Sequence, residues 1–253
     1  MGEKILLVEK REDKIAIITL NRPEQLNALN SALFTAFKEA LEDLAWDDSI
    51  NVIIVTGSGD KAFCAGVDLK ERGSLSKENA LKDRKKNIFG FFKSLIDYQK
   101  PIIGLINGFA VGGGAELALI CDIRIASPNA RFGQTEIKWG MLPSGGGMQR
   151  LRHIAGMGIT KELILTGKIV EADEAYRMHI YNKVVEQDKL MKEGLKLAAE
   201  IANNSPVSVQ QSKMALDVGA DMYSAFALDF EASKEGFYAG DALKGPSTFK
   251  KAK

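Results

Sequence analysis

Hydrophobic positions change their period several times along the chain, and each change marks a new element. Ile5 to Glu9 and Ile15 to Leu20 are apolar-rich runs on either side of the polar Arg11-Glu12-Asp13, which predicts a hairpin. Asn30 precedes Ser31 to Leu44, where apolar residues recur at helical spacing, so Asn30 is expected to cap a helix. Asn51 to Thr56 is a β-branched run suited to a buried strand, and Pro101 to Leu105 and Ile123 to Ala126 predict further strands. Within Lys77 to Tyr98, the residues Ile88, Phe91, Phe92, Leu95 and Ile96 form a helical stripe that faces the core. From Thr160 onward the strong patterns are helical: Lys161 to Leu165, Leu190 to Asn203, Val207 to Val218 and Tyr223 to Phe237. Alternating strands and helices followed by helices alone indicate an α/β body, residues 1–189, and a helical C-terminal region, residues 190–253.

One segment breaks the pattern in a way that carries chemistry. Pro101 to Gly108 reads as a strand and Ala115 to Cys121 as a helix, so Gly112-Gly113-Gly114 falls at the helix N-terminus, just before Glu116. Free N–H groups and the positive end of the helix dipole collect there, and glycines let a ligand approach the backbone. Backbone stabilises a developing negative oxygen in this way. Taken alone, a glycine triplet serves packing as readily as chemistry, Glu116 is a first-turn carboxylate favoured by the dipole, and Glu136 is a solvated loop residue.

Composition narrows the classes. A chain of 253 residues, 45% hydrophobic, with formal charge +1, buries a sizeable core and has no bulk bias towards nucleic acid. Cys64 and Cys121 stand apart without metal-type spacing, which predicts neither disulfide framework nor zinc site and fits a reducing, cytoplasmic setting. The first residues pass quickly into Glu9-Lys10-Arg11-Glu12-Asp13 and lack the apolar stretch of a signal peptide. Ile102 to Cys121 has Glu116 as its sole charge, but its glycines divide it into strand, turn and helix rather than a membrane span. The two histidines, His153 and His179, form no metal motif, and His179 reads as a packed or exposed helix residue. Nucleophile-elbow and P-loop strings are absent, and Gly57-Ser58-Gly59 completes no dinucleotide fingerprint.

Four blocks in order and spacing settle the comparison with known motifs: Ala62-Phe63-Cys64-Ala65-Gly66-Val67-Asp68-Leu69; Asn107 to Ala118; Cys121-Asp122-Ile123-Arg124-Ile125-Ala126; and Ala130-Arg131-Phe132-Gly133-Gln134-Thr135-Glu136. Together they resemble the enoyl-CoA hydratase (crotonase) family, from Leu20-Asn21-Arg22-Pro23 to at least Asn182-Lys183-Val184-Val185. The resemblance implies a spiral of ββα units with a helical region that mediates assembly into a homotrimer or homohexamer. It also implies an enzyme that adds water across the 2,3 double bond of an acyl-CoA thioester, with no cofactor beyond the coenzyme A of the substrate. Carried over residue by residue, the oxyanion N–H groups fall on Val67 and Gly113, the water-activating carboxylate on Glu116 and the proton donor on Glu136. Val67 stands where alanine is commoner. Ala65, Asp68, Leu69, Lys70 and Ser144 are the implied substrate-binding positions. Lys70, Lys82, Arg84, Lys85 and Lys86 are candidates for the phosphate end of coenzyme A, or simply a solvated helix face.

Three departures from the family pattern bear on the substrate. Ser144 replaces a glycine after Pro143, Trp139 is either a core or interface filler or a wall of the acyl pocket, and the tail Asp241 to Phe249 stops early and contains Pro246. Other readings remain: a relative acting on a cyclic or dienoyl thioester, an isomerase or hydrolase using the same oxyanion hole, or an RNA-binding crotonase-like protein. Near-neutral charge argues against RNA.

Overall fold

The computed structural model describes residues 4–73, 79, 82 and 84–218. Expectations for Tyr223 to Phe237 and for the tail lie outside them. The chain opens with the hairpin, β1 (Leu6–Lys10) and β2 (Ile15–Leu20), paired antiparallel from Leu6 opposite Leu20 to Lys10 opposite Ala16. Helix α1 (Ser31–Ala45) follows, and the Asn30 side chain accepts a hydrogen bond from the Leu33 N–H at 2.9 Å, the cap that its position predicts.

Three turns of a repeating unit then follow. β3 (Val52–Gly57) and β4 (Ala62–Cys64) lead to α2 (Leu69–Gly73); β5 (Ile102–Ile106) and β6 (Phe109–Val111) lead to α4 (Gly113–Ile120); β7 (Ile123–Ala126) and β8 (Arg131–Gly133) lead to α5 (Gly147–Thr166). A π-helical turn, Arg84–Phe89, runs into α3 (Gly90–Ile96) between the first and second units. The first strand of each unit joins one sheet and the second strand joins another. The six-stranded sheet has the order β1-β2-β3-β5-β7-β10, with β10 at Lys183–Val184, and every pairing in it after the hairpin is parallel. The smaller sheet runs β4-β6-β8-β9, with β9 (Val170–Glu171) antiparallel to β8. This is the expected ββα spiral, and it delivers the ends of β4 and β6 side by side.

Packing explains the patterns. Phe34 (tilted) and Phe37 (edge-on) of α1 pack against Phe91 of α3 with ring centroids 5.0 and 5.3 Å apart, and Ile88, Phe92 and Leu95 join them in the core. Ile96 departs from the predicted stripe and is exposed, because α3 ends there. Helix α7 (Leu190–Ala202) covers the opposite face of the large sheet, where Leu190, Ala198 and Ala202 meet Ile15, Val52, Ile103 and Leu105. Gly194 sits so close to Leu105 that a Cβ there would approach its side chain to 2.6 Å. Helix α6 (Ala172–Arg177) precedes β10, and α8 (Pro206–Val218) follows α7. Ile102 to Cys121, long enough to suggest a membrane span, is β5, β6 and α4, and no described helix is long and apolar enough to cross a membrane. His179 is not helical: it lies exposed in the turn after α6 with φ +62°.

Candidate active site

The glycine triplet occupies the position that the sequence predicts. Gly112 caps α4 with φ +55° and ψ −129°, a conformation that a side chain opposes, and its N–H donates to Gly133 O at 2.9 Å, tying β6 to β8. Gly114 faces β4 so tightly that an added Cβ would stand 1.9 Å from the Cys64 carbonyl oxygen. Gly113 faces Val67 instead: its Cβ would lie 3.5 Å from the Val67 backbone nitrogen and 3.3 Å from Val67 Cγ2.

The Val67 N–H is freed by the way its strand is used. Leu29 bridges to this segment by donating to Gly66 O at 2.8 Å and accepting from Asp68 N at 2.9 Å. Alternation along an extended chain turns the intervening N–H of Val67 to the other side, towards Gly113. Gly113, as the first residue of α4, has no intrahelical acceptor for its own N–H. Two backbone donors thus sit side by side at the positive end of a helix.

Both carboxylates reach the same place. Glu116, in the first turn of α4, is 4% exposed, and its Oε1 accepts from the Gly145 N–H at 2.7 Å and the Gly147 N–H at 3.0 Å. Those donors come from the loop that leads into α5, so Pro143-Ser144-Gly145-Gly146-Gly147 holds the carboxylate in one orientation. Gly147 has no room for a side chain, because a Cβ would lie 2.8 Å from Gln134 Nε2 and 2.9 Å from Glu116 Cγ. Glu136 starts a 3-10 turn, Glu136–Trp139, and both its carboxylate oxygens are buried without a hydrogen-bond partner. Burial pushes its carboxyl above the ordinary range. An added Cβ on Gly112 would stand 3.8 Å from Glu136 Oε1, so this carboxyl faces the glycine turn. Glu116 is the first-turn carboxylate that its position allows, while Glu136 is not the solvated loop residue that its position alone suggests.

Ala65, Val67, Leu69, Gly113, Glu116, Glu136 and Ser144 line one cavity of about 80 Å³, space for a handful of water-sized groups. Trp139 lines it too, and at 65% exposed it stands at the mouth rather than in the core. Asp68 does not line it. Its carboxylate pairs with Arg22 at 3.0 Å and accepts from the N–H groups of Lys70 and Glu71, capping α2. Burial alone would raise the Asp68 carboxyl, but the hydrogen bond from Arg22 and the cap hold it below its ordinary range. Lys70, Lys82 and Lys86 are exposed and outside the lining, and the side chains of residues 84 and 85 are not among those described. Gly66, Gly112 and Thr135 of the family blocks and Ile88 of the helical stripe line the cavity as well, and Arg72, Met141 and Leu142, which no motif announced, complete the wall. Among the described residues, no group of three His, Cys, Asp or Glu side chains is placed to hold a metal ion.

Residues 10–250 match the family model described as enoyl-CoA hydratase/isomerase. The chain is 41% identical to a short-chain-enoyl-CoA hydratase of Clostridium acetobutylicum, covering 96% of this chain and 94% of that one. It is 38% identical to a crotonyl-CoA hydratase of Syntrophomonas wolfei, covering 98% and 96%. The crystal structure of an enoyl-CoA hydratase from Bacillus anthracis superposes with a TM-score of 0.93 at 34% identity, over 97% of this chain and 96% of the other. The spiral is therefore the crotonase fold, and because the likeness runs almost from end to end through the blocks that build the cavity, the chain belongs to the enoyl-CoA hydratase/isomerase family.

Proposed function

We propose that this chain is an enoyl-CoA hydratase that adds water reversibly across the 2,3 double bond of a short acyl-CoA thioester. The observation that carries the reading is the convergence of two glutamates and two backbone N–H groups on one small cavity. The thioester oxygen sits between the N–H groups of Val67 and Gly113, which stabilise the enolate-like charge that develops as C3 is attacked. Glu116, oriented by the Gly145 and Gly147 N–H groups, takes a proton from water while the water oxygen bonds to C3. Glu136, whose burial favours the protonated form, delivers a proton to C2. One water is consumed, one C–O and one C–H bond form, and exchange with solvent returns each carboxyl to its starting state. Nothing beyond the coenzyme A of the substrate is needed as a cofactor. A homotrimer or homohexamer in the cytoplasm is the setting that this reading implies.

The test is hydration of crotonyl-CoA, followed by loss of the conjugated absorbance. Glu116→Gln and Glu136→Gln should each lower kcat by roughly 10² to 10⁴, the usual contribution of one proton-transfer group. The double variant should fall little further, because both groups serve a single water. If one variant hydrates at the wild-type rate while the other is inactive, the two-carboxylate mechanism fails and a one-acid isomerase reading replaces it.

A further inference from the structure

The hydratase reading leaves one charged group of the cavity unused. Arg72, near the end of α2, lines the same wall as Glu116 and Glu136, and it is the only cationic side chain among the described lining residues. Among the described residues it has no ion-pair partner, whereas Arg22 pairs with Asp68. Leu69, Ile88, Met141 and Leu142 supply apolar surface to the same lining, beside the two glutamates. Arg72 is partly buried in this wall, and its guanidinium is placed to meet an anion that a ligand brings into the cavity.

Resting on the hydratase reading, we propose that the preferred acyl group carries a carboxylate at its far end, and that Arg72 binds it, with the Ser144 hydroxyl as a second donor on the same wall. The chemistry selects this ligand over a neutral chain for two reasons. An anionic acyl end in a cavity that already holds two carboxyl groups is repelled unless a cation stands beside it. A planar guanidinium matches a carboxylate with two parallel hydrogen bonds, which a methyl terminus cannot use. The phosphates of coenzyme A are a different anion, and the exposed Lys70, Lys82 and Lys86 outside the cavity are better placed for them than an arginine in its wall. The small cavity favours a terminal carboxylate one or two methylenes beyond the double bond.

Two pairs of substrates matched in length test this: 4-carboxybut-2-enoyl-CoA against pent-2-enoyl-CoA, and 5-carboxypent-2-enoyl-CoA against hex-2-enoyl-CoA. The wild-type enzyme should show the higher kcat/KM on the carboxylated member of at least one pair. In Arg72→Met that preference, the ratio within the pair, should fall by roughly 10- to 100-fold, the range for a lost charge-assisted hydrogen bond. Arg72→Lys should recover part of it, and Ser144→Gly should lower it less. A wild-type preference for the neutral member of both pairs overturns the proposal. So does an Arg72→Met variant that loses equally on both members, since that outcome assigns Arg72 to the coenzyme A phosphates. Should the wild-type enzyme hydrate neither member of either pair, the hydratase reading itself falls, and the substrate proposal with it.

Discussion

Glu136 joins a buried carboxyl to a surface-like sequence position, and its titration follows from that. Its two oxygens are buried without partners, and desolvation raises its carboxyl above the ordinary value. A raised folded value means that the native state holds this proton to higher pH than the unfolded chain does. The resulting contribution to stability is complete below the unfolded value and is lost as pH rises through the folded one. Glu136→Gln is neutral at every pH, so its melting temperature should match the wild type near about pH 4 and exceed it near about pH 8. A gap that stays constant across this range, read by differential scanning fluorimetry, would show that Glu136 is not desolvated. The placement of Glu116 and Glu136 in the cavity was legible because each sits in a block of fixed spacing. Arg72 and Met141 were not, because a cavity wall is assembled from residues distant in sequence and neither residue carries a local signal. Asp68 shows the converse: it stands in a motif, but its carboxylate is committed to Arg22 and to the start of α2.

At the scale of elements, the strands and the cap of α1 follow from period and turn chemistry, whereas α5 was hidden. Gly156, at φ +80° and ψ 165°, kinks it, so the sequence pattern showed only Lys161 to Leu165 of a helix that begins at Gly147. The junction of β6 and α4 has a different logic, since its glycines are chosen for separate reasons, and substitution distinguishes them. Gly113→Pro removes one N–H at the first helical position, where proline is tolerated. It should keep the native circular dichroism spectrum and lower kcat on crotonyl-CoA by roughly 10² to 10³, the usual effect of losing one oxyanion donor. Gly113→Ala retains the donor and places its methyl 3.3 Å from Val67 Cγ2, so any loss it shows reports crowding. Gly114→Ala drives a methyl into the Cys64 carbonyl oxygen, and it should lower the melting temperature well below that of either Gly113 variant. A folded Gly113→Pro enzyme with wild-type turnover removes Gly113 from the mechanism.

For the whole molecule, the question is what the C-terminal region does for a body that already has its cores. Among the described residues, both hydrophobic clusters are built from residues between Leu6 and Ala202, and α7 covers the outer face of the large sheet. Helix α8 is held differently. Lys213, largely buried, pairs with Asp122 at 2.8 Å and donates to Lys100 O at 3.2 Å, while Leu216 is 82% exposed on the same helix. Between α8 and the ends of β5 and β7 lies a cleft of about 1100 Å³, lined by Pro101, Ile123, Arg150, Ile154 and Leu216. Two ion pairs, Lys213 with Asp122 and the longer Arg150 with Asp217 at 4.0 Å, hold α8 beside this cleft, and the exposed Leu216 on the same helix fits the proposal that the C-terminal region serves assembly. Ending the chain after Val218 should therefore preserve the secondary structure of the spiral and reduce the assembly. By light scattering coupled to size-exclusion chromatography, the full chain should elute at three or six chain masses and the shortened chain at fewer. If the shortened chain keeps the mass of the full assembly, the contacts between copies are made by the catalytic body, and the division near residue 190 has no role in assembly.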